Sequence, residues 1–181
     1  SQEPKKKVIY TSPIKALSNQ KYYEFTQKFP HLSIGLLTGD IKINPEADVL
    51  IMTAEILQNT LYKKTQLSEQ HGNVNPLLMF DIDFDNELAC VIQDEVHMIN
   101  DADRGHVWEN TILMLPRHIQ MVMLSATLDD PTKFARWIET RGDDITSTSD
   151  NKQVYLATSS YRPVPLTHYS FITAPSALFK C

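Results

Sequence analysis

The chain has 181 residues, of which 42% are hydrophobic and 22% are charged. This length supports one sizeable core, and the composition is that of an ordinary globular domain rather than a disordered or fibrous chain. The two cysteines, Cys90 and Cys181, have neither a disulfide pattern nor metal-ligand spacing, so we expect a reducing intracellular location, cytoplasmic or nuclear. No apolar segment is long enough to span a bilayer and the first residues do not form a signal peptide, so no membrane partner is expected.

Charge is distributed unevenly, although the formal net charge of −5 is not that of a general nucleic-acid binder. Residues 1–30 contain six lysines and two glutamates, whereas residues 81–103 contain eight acidic residues and no Lys or Arg. The first segment is suited to phosphate and the second to a cation. A solvated basic tail and an acidic surface loop remain the alternative interpretation.

Short apolar runs alternate with helical patterns along the chain. The runs predict strands at residues 7–12, 33–38, 49–53, 88–94, 119–127 and 153–159. The helical patterns fall at residues 14–29, 54–64, 105–115 and 131–141. Continuous apolar strands that alternate with helices predict an α/β fold, in which a parallel β-sheet is sandwiched by helices.

Two parts of the chain depart from the alternation. Residues 39–48 are turn-rich and predict a connector. Residues 65–87 predict an insertion, in which the strictly alternating segment 80–85 has the pattern of a half-exposed strand.

Small polar or acidic residues follow five of the predicted strands. They are Thr11 and Ser12, Thr38 to Asp40, Thr53 to Glu55, Asp94 and Glu95, and Ser125 to Thr127. In a parallel sheet these positions share one edge, where ligands of such folds bind. For each residue taken singly, a turn or a helix cap is the alternative.

The segment VIQDEVHMIND, residues 91–101, places Asp94 and Glu95 directly after a buried strand. Mg²⁺ prefers oxygen ligands and commonly binds through one or two carboxylates, waters and substrate phosphates. This predicts that Asp94 holds the Mg²⁺ shell through water and that Glu95 orients and deprotonates a water that attacks a phosphate. His97 would communicate the nucleotide state to a neighbouring domain. Capping of the next helix by the two acids is the alternative.

Six ordered segments carry a resemblance to a known family: YTSPIKALSNQKY, GLLTGDIKINPEADVLIMTAEIL, DEVH, MINDADRGHVWE, MLSAT and RPVPL. Together they resemble the first RecA-like domain of the superkiller-type (Ski-like) DExH-box RNA helicases of superfamily 2. The resemblance omits only residues 62–87 and about the last dozen. SPIKALSNQK and TGDIKINPEA favour the RNA-processing branch over the related DNA-repair branch.

The resemblance implies ATP and Mg²⁺ as cofactors, with Asp94 and Glu95 catalytic. It implies partners: single-stranded RNA, the second RecA-like domain of the helicase and exosome-type decay machinery. It assigns coupling of hydrolysis to unwinding to His97, Ser125 and Thr127. It assigns RNA-backbone binding to Thr11, Ser12, Pro13, Lys15, Thr38, Gly39, Thr53, Glu55 and Arg104.

The family's phosphate-binding loop, G-x-x-x-x-G-K-[ST], has no match in this sequence. We therefore expect a partial RecA-like P-loop NTPase domain at residues 1–166, an exit segment towards the second domain at residues 167–181, and no ATPase activity from the chain alone. In the family's fold, the strand that precedes the phosphate-binding loop lies between the strands that match MVMLSA and QVYLA. Without that strand we also expect exposed strand edges there. A non-catalytic RNA-binding or interaction module, or a DNA helicase, remains an alternative function.

Overall fold

The structure is a computed structural model that describes residues 6–67, 82–140, 153–159, 161 and 164–169. Its strands are β1 (Lys7–Ser12), β2 (Ile34–Leu37), β3 (Lys42–Ile43), β4 (Val49–Thr53), β5 (Leu88–Gln93) and β6 (Gln120–Met123). Its α-helices are α1 (Lys15–Lys28), α2 (Ala54–Leu67), α3 (Gly105–Met114) and α4 (Pro131–Thr140). A short 3₁₀ helix, Val96–Asn100, lies between β5 and α3.

The six strands form one sheet in the order β3-β2-β4-β1-β5-β6. All neighbouring pairs are parallel except β2 with β3, which is antiparallel. The register pairs Ser12 with Thr53 and Thr11 with Gln93, so β1, β4 and β5 end almost level with one another. The residues that follow these strands are therefore brought to one edge.

Helices cover both faces of the sheet, as the continuous apolar strands predict. Successive strand residues face opposite sides, so Ile9 packs in the cluster that contains Leu57 of α2, whereas Tyr10 packs in the cluster that Phe25 of α1 joins. Ile9 and Leu57 are fully buried. The predicted α/β architecture is confirmed by the sheet order and these two cores.

The alternating segment near residue 82 is not a strand, and that prediction is wrong for the residues described. Ile82 and Phe84 are buried and Asp83 and Asp85 are exposed, so the alternation correctly indicates burial. However, the Asp83 carboxylate accepts hydrogen bonds from the backbone N–H groups of Asp85 and Asn86, at 3.0 and 3.1 Å. These local bonds stabilise a turn at residues 84–87 in place of a strand.

The two ends of the sheet also differ from the sequence prediction. Residues 39–48, predicted as a connector only, contain β3, which pairs Leu36 with Ile43 and covers the edge of β2. Residues 153–159, predicted as a strand, have no strand pairing, and Tyr155 is 86% exposed. Within the residues described, β6 is thus the other edge of the sheet, and its Val122 is more than a third exposed. The expected open edge beside MVMLSA is present.

Much of the predicted insertion, residues 68–81, and most of the predicted exit segment, residues 170–181, lie outside the described residues. The boundaries of both remain predictions. No helix in the described part of the chain combines the length and hydropathy needed to cross a bilayer.

Candidate nucleotide and nucleic-acid site

Polar residues from five strands meet at the carboxyl edge of the sheet. Thr53 is the last residue of β4 and pairs in register with Ser12, the last residue of β1. Asp94 follows β5 directly, and its backbone N–H donates to the carbonyl of Thr11, at 3.0 Å. The edge that the sequence predicts is therefore assembled by the parallel register.

The segment after β6 lies against the Asp94-Glu95 turn. The backbone N–H of Leu124 donates to the carbonyl of Gln93, and the N–H of Val96 donates to the carbonyl of Leu124, both at 2.9 Å. These two bonds bracket the turn on both sides. Ser125 and Thr127, which follow immediately, are exposed, and the Ser125 Oγ lies 3.5 Å from the carbonyl of Thr127. Two of the three predicted coupling residues, Ser125 and Thr127, thus follow a residue that is bonded to both flanks of the acid pair.

The Asp94 carboxylate is oriented by two hydrogen-bond donors. The Tyr10 hydroxyl donates to Oδ2, and the backbone N–H of Glu95 donates to Oδ1 at 2.9 Å. Tyr10 is 3% exposed, and burial, reinforced by the neighbouring carboxylate of Asp94, raises the pKa of its hydroxyl. Tyr10 therefore remains a neutral donor, and it is a site residue that the sequence did not reveal.

Glu95 has a left-handed backbone, with φ 54° and ψ 42°. A non-glycine residue in this region costs about 1–3 kcal/mol and is retained where the surroundings enforce it, commonly at functional sites. The turn directs the chain from β5 into the 3₁₀ helix and leaves the Glu95 side chain 38% exposed. His97 Nδ1 lies 3.2 Å from Glu95 Oε2, so the predicted base and the predicted coupling residue are neighbours.

The hydroxyl residues predicted to bind RNA are mostly internal. Thr11 and Ser12 are 1% and 0% exposed, and the Ser12 Oγ lies 2.6 Å from the Oγ of Ser18. Thr38 and Thr53 are each 7% exposed. Their side chains stabilise the edge, so a ligand there would meet mainly the backbone and the more exposed neighbours.

Lys15 and Gly39 are exposed members of the same predicted set. Lys15 Nζ forms an ion pair with Asp40 Oδ1 at 2.7 Å, which joins the start of α1 to the turn after β2. Hydrogen bonding to Lys15, and then to Thr38, holds the pKa of the Asp40 carboxyl below its ordinary value. Lys15, paired with Asp40, and the exposed backbone of Gly39 thus lie together at this corner.

Arg104 and Glu55 contact each other. Arg104 Nε and Nη2 both donate to Glu55 Oε1, the former at 3.1 Å, and Nη2 also donates to the carbonyl of buried Pro13. The turn before Arg104 is stabilised by Asp101, whose carboxylate accepts the N–H of Arg104 at 2.8 Å. This bond is the first cause of the lowered pKa of Asp101. Sequence spacing gave no signal for the Arg104–Glu55 contact.

The donor set suits Mg²⁺ bound together with a phosphate ligand. The described residues contain no cluster of three or more His, Cys, Asp or Glu side chains that would hold a metal by themselves. Mg²⁺ normally retains several waters and uses one or two carboxylates plus substrate phosphates, which Asp94 and its partly exposed neighbour Glu95 can satisfy.

A parallel sheet with an acid pair and a serine-alanine-threonine segment at one edge defines an α/β domain with a ligand-binding edge. The family model described as DEAD/DEAH box helicase matches residues 1–134, and the chain belongs to this family. The resemblance to superkiller-type DExH-box RNA helicases is confirmed by individual relatives. The chain is 45% identical to the antiviral helicase SKI2 of Saccharomyces cerevisiae over 88% of its length, and 41% identical to the exosome RNA helicase MTR4 of Homo sapiens over 92%.

The chain spans only 10% of the SKI2 relative and 13% of the MTR4 relative. Solved structures agree on the fold. The Mycobacterium smegmatis helicase Lhr bound to ssDNA and AMP-PNP matches 75% of this chain and 19% of its own, with a TM-score of 0.52 at 23% identity. Saccharomyces cerevisiae Dbp5 L327V bound to RNA and ADP BeF3 matches 75% of this chain and 31% of its own, with a TM-score of 0.52 at 19% identity. The domain is RecA-like.

Proposed function

We propose that the protein containing this chain is an ATP-dependent RNA helicase, which couples hydrolysis of Mg-ATP to translocation on single-stranded RNA and to its unwinding. The observation that supports the proposal is the contact between the segment after β6 and the residues on either side of the acid pair, through the backbone bonds of Leu124 to Gln93 and Val96. A change in the position of Glu95 on hydrolysis would be transmitted through these bonds to Ser125 and Thr127.

In this proposal each residue of the turn has a separate role in ATP hydrolysis. Bound Mg²⁺ would supply charge neutralisation at the phosphates. Asp94, oriented by Tyr10 and by the N–H of Glu95, would hold the waters of the metal shell. Glu95 would orient a water and accept its proton. His97, 3.2 Å from the Glu95 carboxylate, would sense whether that carboxylate is engaged.

RNA would lie along the same edge, against the exposed Lys15 and Gly39 and the backbone around Ser12 and Thr53. Contacts of this kind are made to phosphate and sugar, so binding should be independent of sequence and sensitive to salt. Glu55 and Arg104, which the resemblance also assigns to RNA, are paired with each other and are not part of this proposed surface.

The relatives named for RNA and for the exosome support RNA processing or decay as the setting, with exosome-type machinery and a second RecA-like domain as partners. A cytoplasmic or nuclear location fits that setting. The chain by itself should not hydrolyse ATP, because its sequence has no match to the phosphate-binding loop. That same observation favours a second candidate for the isolated chain, an RNA-binding module without catalysis.

The substitution Glu95→Gln tests the proposal in a protein that combines this chain with a phosphate-binding loop and a second RecA-like domain. Loss of the general base should lower ATP turnover by about 100-fold or more while ATP binding is retained. Glu109→Gln, the same change on the exposed side of α3, is the matched control and should leave turnover unchanged. Wild-type turnover by the Glu95→Gln protein would reject the assignment.

Two further measurements separate the alternatives. Stimulation of the ATPase by RNA and not by DNA supports the RNA branch, and the reverse supports a DNA helicase. Titration of the isolated chain should show RNA binding without nucleotide binding, and tight ATP binding by the isolated chain would contradict the expected inactivity.

A further inference from the structure

The Arg104 side chain joins three separate parts of the domain. Its Nη2 donates to the carbonyl of Pro13, 91 residues earlier, and its Nε and Nη2 donate to Glu55, 49 residues earlier. Its guanidinium carbon lies 5.6 Å from the ring centroid of Trp108, which is 1% exposed. One side chain thus contacts the loop after β1, the start of α2 and the core beneath α3.

The backbone of Arg104 is fixed relative to the acid pair. Asp101 accepts the N–H of Arg104 through its carboxylate and the N–H of Gly105 through its carbonyl, at 2.8 and 2.9 Å. Only the 3₁₀ helix, Val96–Asn100, separates this turn from Glu95. The turn at Glu95 is therefore connected to Arg104 through a short, hydrogen-bonded segment.

The donors of Arg104 are directed into the protein. Of the five N–H groups of a guanidinium, the one on Nε and those on Nη2 already have acceptors in Glu55 and Pro13. The charge of Arg104 is balanced by the Glu55 carboxylate. To bind an RNA phosphate through Nε or Nη2, Arg104 would have to give up the ion pair or leave the Pro13 carbonyl without its donor, and only the two N–H groups on Nη1 lie outside these bonds.

We propose that Arg104 and Glu55 are positioning residues that hold the two RNA-facing segments, at Pro13 and at the start of α2, in a fixed relation to the catalytic turn. We name this contact set the Arg104 brace: Arg104, Glu55, Pro13 and Trp108. The effect on RNA binding rests on the proposed function. The contacts of the Arg104 brace are present in the domain whether or not it binds RNA.

The two roles predict opposite effects of Glu55→Gln. If Glu55 faced RNA, removal of its negative charge would strengthen binding to phosphate. If Glu55 belongs to the brace, Glu55→Gln weakens the hold on Arg104 and lowers RNA affinity. The expected loss of RNA affinity is about twofold to fivefold. This lies at the low end of the interaction energies of contacting residues, because the side chains of Arg104 and Glu55 are 36% and 37% exposed.

The test is a double-substitution cycle with Arg104→Gln, Glu55→Gln and both together, in the purified protein that contains the whole chain. RNA affinity is measured at several salt concentrations. Loss of a phosphate contact lowers the slope of log affinity against log salt by about one, whereas loss of an internal contact leaves the slope unchanged. Lys15→Gln, at an exposed lysine of the proposed RNA surface, is the positive control and should lower the slope.

We expect each single substitution to weaken RNA binding, the double variant to be no weaker than Arg104→Gln alone, and the salt slope to be that of the wild type. Additive effects, a lowered slope for Arg104→Gln, or tighter binding by Glu55→Gln would overturn the proposal.

Thermal unfolding of the same four proteins separates this inference from the proposed function. If the wild type fails to bind RNA, the proposed function is wrong, yet non-additive melting shifts between positions 55 and 104 still support the brace. Strictly additive melting shifts would overturn the brace whatever the RNA result. Arg104→Lys adds a check, because a lysine lacks the planar fork and should restore only part of the melting temperature.

Discussion

Substitution of Gly105 by alanine should destabilise the domain, although Gly105 is the first residue of α3 and alanine is the better helix former. A Cβ built at Gly105 would lie 2.3 Å from the carbonyl oxygen of Ile99 and 3.0 Å from its carbonyl carbon. Both are backbone atoms, so a side-chain rotation cannot relieve the clash. The segment between Ile99 and Gly105 has to move, and the 2.9 Å bond from the Gly105 N–H to the Asp101 carbonyl is strained or lost.

Two effects of opposite sign set the magnitude. Forcing extra atoms into a packed region costs about 1–3 kcal/mol, and replacing glycine by alanine recovers about 0.4–1 kcal/mol by restricting the unfolded chain. The difference between the mid-range values is a net loss of about 1.3 kcal/mol, or a fall of about 3–5 °C in Tm for a chain of this size. Thermal unfolding followed by circular dichroism, with urea titration as a second measure, is the assay.

Gly39→Ala is the matched control. At Gly39 the nearest atoms to an added Cβ are Lys15 Nζ and Cε, at 3.8 and 3.9 Å, which are ordinary contact distances. This variant should therefore be as stable as the wild type or slightly more stable. A Gly105→Ala protein that melts at or above the wild-type temperature would refute the packing argument.

Three further outcomes are expected. Glu95→Gly should be more stable to urea than Glu95→Ala by about 1 kcal/mol, because only glycine adopts the left-handed backbone freely, and equal stability would show that the turn has no such strain. Tyr10→Phe should reduce the loss of stability that occurs above about pH 10. The Tyr10 hydroxyl has a higher pKa in the folded protein than in the unfolded chain, so its contribution to stability is complete below the unfolded-state pKa and is lost as the pH rises beyond it. An unchanged alkaline profile would contradict the buried hydrogen bond to Asp94. Val122→Lys should slow aggregation of the isolated chain several-fold by light scattering, since it charges the open edge of β6. Ile43→Lys should have less effect, because β3 at the other edge has only two residues and offers little backbone for pairing. Equal effects would argue against edge pairing as the route.

The sheet could be predicted because its strands are continuous apolar runs. The run at residues 49–53 is apolar up to its last residue, Thr53, and is buried on both faces, so one pattern determines both its conformation and its place. The run at residues 153–159 has similar residues but no partner in the described chain, and it is not a strand. Apolar sequence indicates a tendency to pair, whereas pairing itself depends on a neighbour that the local sequence does not contain.

The site was predictable where it depends on position along a strand and unpredictable where it depends on side chains meeting across the fold. Asp94 and Glu95 follow β5 as expected, and Leu124, the residue before Ser125, is bonded to both neighbours of the acid pair. The bonds from Tyr10 to Asp94, 84 residues away, and from Arg104 to Glu55 have no sequence periodicity. Such contacts arise from register and helix packing, which a single sequence determines only through the complete fold.

The strand order has a consequence for how the chain is made. β1 leaves the ribosome before both of its neighbours in the sheet, β4 and β5, and its register partner Val91 lies 82 residues after Ile9. One side of β1 can pair only after residues 49–53 have been synthesised, and the other side only after residues 88–93. Because parallel strands separated this far close slowly and expose apolar surface while they do so, nascent chains are expected to need chaperone protection during translation.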